Sequence, residues 1–143
     1  MATGLMAETA RLSTFSITVP DQWTQTIQAS SGQSWGSTLS LVPPGGEGVM
    51  QITTFEAPGK ITQEKLRNLT NVEHSVPLKW QNWGDLAGFQ YDYSEGEHSF
   101  RQWWLTNERA AVFVVYQYDN DSGGIDSSVI NATVRSIKSV SAL

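Results

Sequence analysis

The side chains that could carry out chemistry at neutral pH are few in this chain of 143 residues. There is no cysteine, and no Gly-x-Ser-x-Gly segment presents a serine nucleophile. His74 and His98 are the only histidines, and the sequence places no partner acid or nucleophile beside either one. We therefore expect both histidines to be solvated surface residues and the protein not to be an enzyme.

Acidic and glycine-rich segments suggest other sites, but each pattern is incomplete. Segment 119–123 resembles the start of a calcium loop, yet Ile130 stands at position 12, where a bidentate glutamate is required. Segment 45–48 has no lysine and leads into a strand, so it predicts a hairpin turn and not a phosphate site. The carboxylates that could pair for glycoside chemistry are close only in sequence: Asp85, Asp92, Glu95 and Glu97. We expect no metal site and no cofactor.

The sequence contains six tryptophans, which is a high number for a chain of this length. Trp103 and Trp104 are adjacent on a predicted strand, so they must lie on opposite faces of a sheet, where core packing is favoured. Trp35, Trp80 and Trp83 fall in segments without regular strand patterning, and a tryptophan in a loop is a typical anchor for a protein partner. These three predict a partner-binding surface, although core packing is an equally good interpretation of them.

Alternation of apolar and polar residues predicts an antiparallel sheet that positions these side chains. The strands are predicted at residues 15–19, 39–41, 49–55, 86–93, 100–105 and 110–118. Thr62 is predicted to cap a short helix ending near Leu69, and an amphipathic stripe predicts a second helix over 126–139. The resulting order β-ββ-α-βββ-α is typical of the α+β class. The last strand is apolar on both faces, which predicts a central strand covered by helices on both sides.

The same strand pattern suggests a pocket. Phe89, Tyr91 and Tyr93 alternate along one predicted strand, so they share a face and could line a pocket beneath a helix. Residues 1–10 lack a regular pattern and are expected to be a flexible leader, with residues 11–143 forming one domain. That leader has no basic or apolar targeting region, and no run approaches 18 apolar residues, so a cytoplasmic protein without membrane insertion is expected.

The charge balance limits the partners. The net charge is −5, with nine basic residues scattered among 14 acidic ones, and the sequence pI is near 4.9. Nucleic acid binding requires clustered lysine and arginine, so neither DNA nor RNA is expected as a partner. An acidic surface would instead attract a basic protein.

Several segments together carry a resemblance to a known family. Residues 15–23, Phe-Ser-Ile-Thr-Val-Pro-Asp-Gln-Trp, resemble the opening strand, proline and tryptophan of the Mog/PsbP-like proteins. Further points of similarity over residues 11–140 are Gly88-Phe89, Arg101 to Trp104, Val114 to Tyr116 and Ser136 to Lys138. The resemblance implies an antiparallel sheet between helices, an α/β/α sandwich that usually acts as a non-enzymatic binding module. Bacterial relatives include small chaperones and adaptors, some beside toxin secretion systems.

These observations lead to a ranked set of functional hypotheses. The first is a non-catalytic protein-binding or adaptor module of a bacterial cell, with another protein as partner and a homodimer as a further possibility. One specific form is a chaperone or immunity protein accompanying a secreted toxin, as in a type VI-like system. The second is a binder of a small apolar ligand.

Overall fold

The computed structural model describes residues 8–12, 14–28, 35–45, 48–56, 59–70, 72–121 and 127–140. Within these ranges the chain forms ten strands and two helices. In chain order they are β1 (Glu8–Leu12), β2 (Phe15–Val19), β3 (Thr24–Gln28), β4 (Trp35–Val42), β5 (Val49–Glu56), α1 (Gln63–Leu69), β6 (Gln81–Trp83), β7 (Leu86–Glu95), β8 (His98–Thr106), β9 (Ala110–Asp119), α2 (Ser127–Arg135) and β10 (Lys138–Ser139). The fold is α+β and consists mostly of antiparallel sheet, as predicted.

Two antiparallel sheets organise the fold. The larger sheet has seven strands in the order β3-β4-β5-β9-β8-β7-β6, and the smaller has three in the order β1-β2-β10. Strand β9 is the fourth of the seven, between β5 and β8. The prediction of a central strand at this position is confirmed. No helix of the described residues is both long enough and apolar enough to cross a membrane.

The main core lies on one face of the large sheet, which we call the inner face. The small sheet and helix α2 pack against it, and the side chains of Ile17, Trp103 and Val134 meet there with at most 2% exposure. Fully burying a side chain of the size of valine or isoleucine contributes about 1.5–3 kcal/mol to the free energy of folding. The inner face therefore supplies most of the apolar burial that holds the two sheets together.

The opposite face of the large sheet, the outer face, is covered over only part of its area. Leu66 of helix α1 and Ile61, which precedes the helix cap, pack with Phe89, Trp104 and Ala111 in a second buried cluster. Further along the same strands, no helix of the described residues covers the outer face. Its residues there, such as Gln51, Val115 and Tyr93, are half-buried or exposed, apart from the buried Gln102. Helical cover on both faces of β9 was predicted from the apolar residues of Val112 to Tyr116. The structure shows it on the outer face only near Ala111 and Phe113.

Four strands were not predicted from the sequence. Strands β1, β3, β6 and β10 are two to five residues long and carry little apolar alternation of their own. Strand β1 includes Glu8, Thr9 and Ala10, which were expected in the flexible leader, and Ala10 is buried opposite Ile17. Residues 1–7 of that leader lie outside the described residues. Each of these strands exists because a stronger neighbouring strand supplies its hydrogen-bond partners.

Helix α2 is shorter than predicted. It ends at Arg135, and Lys138 and Ser139 then pair with Ser16 and Phe15 of β2. Helix α1 agrees closely with its prediction, since the side chain of Thr62 accepts a hydrogen bond from the backbone N–H of Lys65.

Candidate functional site

The three tryptophans predicted to bind a partner do not form one surface. Trp83 belongs to β6, is 5% exposed and packs its ring edge against Trp103 with centroids 5.7 Å apart. The guanidinium of Arg135 lies over the Trp83 ring, 4.7 Å from its centroid. The prediction of Trp83 as a surface anchor is therefore wrong. Pairing of β6 with β7 turns this side chain into the inner-face core.

Trp80 and Trp35 lie elsewhere. Trp80 is half-buried on the outer side of the sheet, with its ring perpendicular to that of Phe89 at a centroid distance of 5.3 Å. Trp35 begins β4 opposite Phe55, beside an irregularity in the strand register, and its side chain lies outside the described residues. Trp80 and Trp83 are thus on opposite faces of the sheet, so one partner could not contact both in a single small patch.

The three residues of the predicted pocket share the outer face, as expected, but they line two pockets. Phe89 is 2% exposed beneath α1 and borders a shallow pocket with residues of that helix and Leu78. Tyr91 and Tyr93 are half-buried and line a neighbouring pocket of about 460 Å³. The other residues lining that pocket are Val72, Glu73, Val76 and Gln102.

One arginine shapes the wall of the tyrosine pocket. The guanidinium of Arg67 in α1 donates to the carbonyl oxygens of Val72, Glu73 and Val76 at 3.0, 2.8 and 2.9 Å. It also donates to Oγ1 of Thr70 at 2.7 Å. Segment 72–76 has neither helix nor strand structure, so these bonds satisfy carbonyls that would otherwise depend on water. Arg67 therefore fixes the segment against the helix.

An aromatic row runs beside this pocket along the uncovered part of the outer face. The rings of Tyr91 and Tyr93 stack with centroids 5.9 Å apart, and those of Tyr93 and Phe100 stack at 4.7 Å and 11°. His98 meets Phe100 edge-on at 6.5 Å. We call these four residues the aromatic strip.

The strip continues into a wider surface that carries no charged residue. Strand register places Gln51 opposite Val115, Val115 opposite Gln102, and Gln117 opposite Phe100 on the same face. We call this surface the open face; its residues are Ser40, Val49, Gln51, Thr53, Tyr91, Tyr93, Phe100, Gln102, Val115 and Gln117. Charged side chains begin where the strands end, with Glu95 and Asp119.

Sequence reasoning missed most of the open face. It identified Tyr91 and Tyr93, but it assigned both faces of β9 to a helix-covered core. The overlooked signal is the alternation of apolar and polar residues in β5 and β9. Gln51 and Gln117 are polar, uncharged residues at outer-face positions of these strands. A fully covered face would not place solvated amides there.

The histidines form no catalytic arrangement among the described residues. Nδ1 of His98 lies 2.9 Å from Oδ1 of Asp119, and these side chains are 50% and 69% exposed. The neighbouring hydroxyl of Ser99 lies on the opposite face and bonds Asn120. His74 is exposed, as predicted, and the described residues contain no cluster of three or more histidine, aspartate or glutamate residues suited to a metal ion.

A second exposed ion pair lies away from the open face. Nζ of Lys60 is 2.8 Å from Oε2 of Glu108, and this hydrogen bond raises the pKa of the Lys60 amine above its ordinary value. Both side chains are more than half exposed, so the pair is an ordinary solvated contact of small energetic consequence.

Comparison with known proteins defines the fold and does not extend to a function. No protein-family model matches the chain, and no curated protein matches it. A solved structure of a protein from Bacteroides thetaiotaomicron VPI-5482 is similar to this chain, with a TM-score of 0.61 and 12% sequence identity. The similarity covers 90% of this chain and 46% of that one, so this chain spans less than half the length of the protein it matches. At this identity the likeness concerns the fold alone.

Proposed function

We propose that this protein is a non-catalytic protein-binding module and that its binding surface is the open face. One observation carries the proposal. In a chain with 23 charged residues, nine basic and 14 acidic, a broad sheet face exposes tyrosine, phenylalanine, valine and glutamine but no formal charge. The solvated face of an antiparallel sheet is normally its polar face, so this composition is unusual for a surface that meets only water.

The composition matches what protein interfaces use. The buried centre of an interface is depleted of charged residues and enriched in aromatic ones, which bury a large area at low entropic cost. Tyr93 and Phe100 are already stacked on one another, so their rings are ordered before a partner arrives. Ordering of side chains is one of the costs of binding, and a stack that is formed in advance reduces that cost.

Acidic residues at one end of the open face indicate the charge of the partner. Glu95, Glu97, Asp119 and Asp121 are exposed where β7 and β9 end and β8 begins. Charges at the rim of an interface act mainly on the association rate and on its salt dependence. We therefore propose a partner with an apolar or aromatic centre and a basic edge.

The biological setting follows from the resemblance and is likewise a proposal. Helices α1 and α2 pack on opposite faces of the large sheet, which supports a Mog/PsbP-like α/β/α sandwich. Within that family we favour a cytoplasmic adaptor of a bacterial cell. A chaperone or immunity protein for a secreted toxin is a specific version, because an acidic protein suits a basic toxic enzyme.

A second candidate function is binding of a small apolar ligand. The pocket between segment 72–76 and the tyrosines has a volume of about 460 Å³, within the range of small-molecule sites. Its two valines and two tyrosines supply apolar lining, and Gln102 supplies an amide. A ligand screen by NMR tests it. Shifts confined to residues 72–76, 91 and 93 would support this function, and no ligand from a broad apolar library would contradict it.

The experiment that tests the leading proposal compares two lysine substitutions. Gln51→Lys places a charge in the middle of the open face at an exposed position, where it will not disturb the core. Ala132→Lys places the same charge at an exposed position of α2, on the other side of the molecule. Tagged wild type and both variants are expressed in the native cell, and captured proteins are quantified by mass spectrometry after urea unfolding has verified that each variant is folded.

We expect one stoichiometric partner that is lost with Gln51→Lys and retained with Ala132→Lys. Capture of wild type should also weaken as salt is raised, because the acidic rim is screened. Equal capture by both variants would assign the partner to another surface. No enriched protein in any sample would contradict the binding-module proposal itself.

A further inference from the structure

We propose that strand β3 is a homodimerisation edge, at which a second copy of this chain adds its own β3 in antiparallel orientation. The proposal goes beyond the protein-binding function and does not depend on it. It rests on the edge of the large sheet, whereas the proposed function rests on its outer face.

The sequence of strand β3 carries none of the residues that protect an exposed sheet edge, and the described residues place one charged group beside it, the Glu8 carboxylate bonded to Gln25. It is the end strand of the seven and pairs with β4 in unbroken register from Thr24 to Gln28. An edge strand offers a row of unpaired N–H and C=O groups, and proteins block it with charge, proline, a bulge or a very short strand. The sequence Thr-Gln-Thr-Ile-Gln contains no charge and no proline, and its pairing with β4 contains no bulge.

The opposite edge provides a contrast within the same sheet. Strand β6 is only three residues long, and its last residue, Trp83, is buried in the core under Arg135. A strand of this length offers little for another chain to pair with. The two edges are therefore unequal, and among the described residues β3 is the longer edge strand, with no further strand paired to it.

An exposed apolar side chain on β3 favours the binding of another chain at this edge. Ile27 is 55% exposed, the highest value among the large apolar side chains of the described residues. A single exposed isoleucine is ordinary on a surface. Here it lies on an unprotected edge, where strand addition would cover it.

A second copy fits this edge better than an unrelated peptide does. Antiparallel pairing about a two-fold axis at Thr26 places Thr26 opposite its own copy, Gln25 opposite Ile27, and Thr24 opposite Gln28. Facing threonines stabilise antiparallel pairs, and no like charges meet along the strand, although each chain carries a net charge of −5. The nearby carboxylate of Glu8 accepts a 2.8 Å hydrogen bond from the Gln25 amide.

The surroundings of β3 also disfavour a peptide. Peptides that add to a sheet edge gain specificity from pockets for alternate side chains. None of the pockets described above is lined by a residue of β3 or β4. Strand addition by a second copy requires no such pockets, because the specificity comes from self-complementary register.

The chain contains no cysteine, so single cysteines can report the geometry directly. Residues directly opposite in an antiparallel pair have Cα atoms about 4.5–5.5 Å apart, which lies within the range of a disulfide. Thr26→Cys should therefore form a covalent dimer rapidly under mild oxidation. Thr24→Cys and Gln28→Cys, which do not face their own copies, should cross-link more slowly, and Asn82→Cys on the β6 edge is the control.

Light scattering of the purified protein tests the non-covalent state. We expect wild type to be a dimer, Thr26→Lys to be a monomer because two lysines would face each other, and Asn82→Lys to remain a dimer. A monomeric wild type at high concentration would overturn the proposal. So would cross-linking at position 26 that is no faster than at position 82. Loss of a different captured protein in Thr26→Lys, with wild type monomeric, would assign the edge to a peptide of that protein.

Discussion

Arg67 lies in the last turn of helix α1, and its guanidinium donates a 2.9 Å hydrogen bond to the carbonyl oxygen of Val76, nine residues further along the chain. The same group holds the carbonyls of Val72 and Glu73, so one side chain organises an irregular segment that forms a wall of the tyrosine pocket. The shape of that pocket therefore depends on a residue that does not line it.

Substitution of this arginine should loosen the segment. We expect Arg67→Lys to lower the free energy of unfolding by about 1–3 kcal/mol, because hydrogen bonds from a charged donor are among the stronger ones and lysine cannot reproduce the planar fork. Urea unfolding measures the loss, and hydrogen exchange should show faster exchange in segment 72–76. Arg109→Lys, at an exposed turn position, is the matched control and should change neither quantity. Unchanged exchange in Arg67→Lys would contradict this role.

The two tryptophans of segment 80–83 should differ sharply in their effect on stability. Trp83→Ala removes a buried indole from the main core and should cost about 3–5 kcal/mol of unfolding free energy. Trp80→Ala removes a half-buried ring and should cost clearly less. Urea unfolding of both variants provides the comparison. Similar small losses would show that Trp83 is not a core residue in solution.

Gly88 should tolerate no side chain. A Cβ at this position would collide with the backbone carbonyl of Trp104 and lie 2.8 Å from Cα of Leu105, and neither backbone atom can move aside cheaply. We expect Gly88→Ala to destabilise the protein by about 3 kcal/mol or more, at or beyond the upper end of overpacking costs.

Gly96 is the control for this substitution. It has a φ of +63° in the β7–β8 turn and open space around it, so Gly96→Ala should cost only about 1 kcal/mol through backbone strain. Thermal unfolding of the two variants measures both effects. Equal melting temperatures would contradict the close approach at Gly88.

The N-cap of helix α1 provides a test of local structure. Thr62 accepts a 3.1 Å hydrogen bond from the N–H of Lys65, and Thr62→Ala should lower the unfolding free energy by about 0.5–2 kcal/mol. Thr62→Ser keeps the hydroxyl and should retain most of the stability. If the serine variant lost as much as the alanine variant, the effect would come from packing of the methyl group and not from the cap.

Much of this fold could be predicted because its main elements carry their own local signals. The cap at Thr62, the apolar pattern of β9 and the opposite orientation of Trp103 and Trp104 follow from residue type and period alone, and the structure confirms each of them. The weak strands β1, β3, β6 and β10 could not be predicted in this way, since their pairing energy comes from neighbours that are distant in sequence.

The candidate site was less predictable than the fold. Tyr91 and Tyr93 were predicted to share one face and to line a pocket beneath a helix, but Trp83 was misplaced because three residues of strand cannot be distinguished from a loop without knowing that β7 pairs with them. Whether the far side of Val115 is covered depends on the length and placement of α1, which contacts one part of the sheet only.

The sequence by itself determined the fold class, the central position of β9, the cap of α1 and the alternation of faces along the predicted strands, because these properties depend on local signals and on periods of about two and 3.6 residues. The tertiary structure alone decided which faces and edges are left open. Whether a sheet face is covered depends on how far a helix reaches across it, and whether a strand lies at an edge depends on the order of the strands in the sheet. The uncharged open face and the position of β3 at the edge of the described sheet became visible only when distant segments were placed side by side.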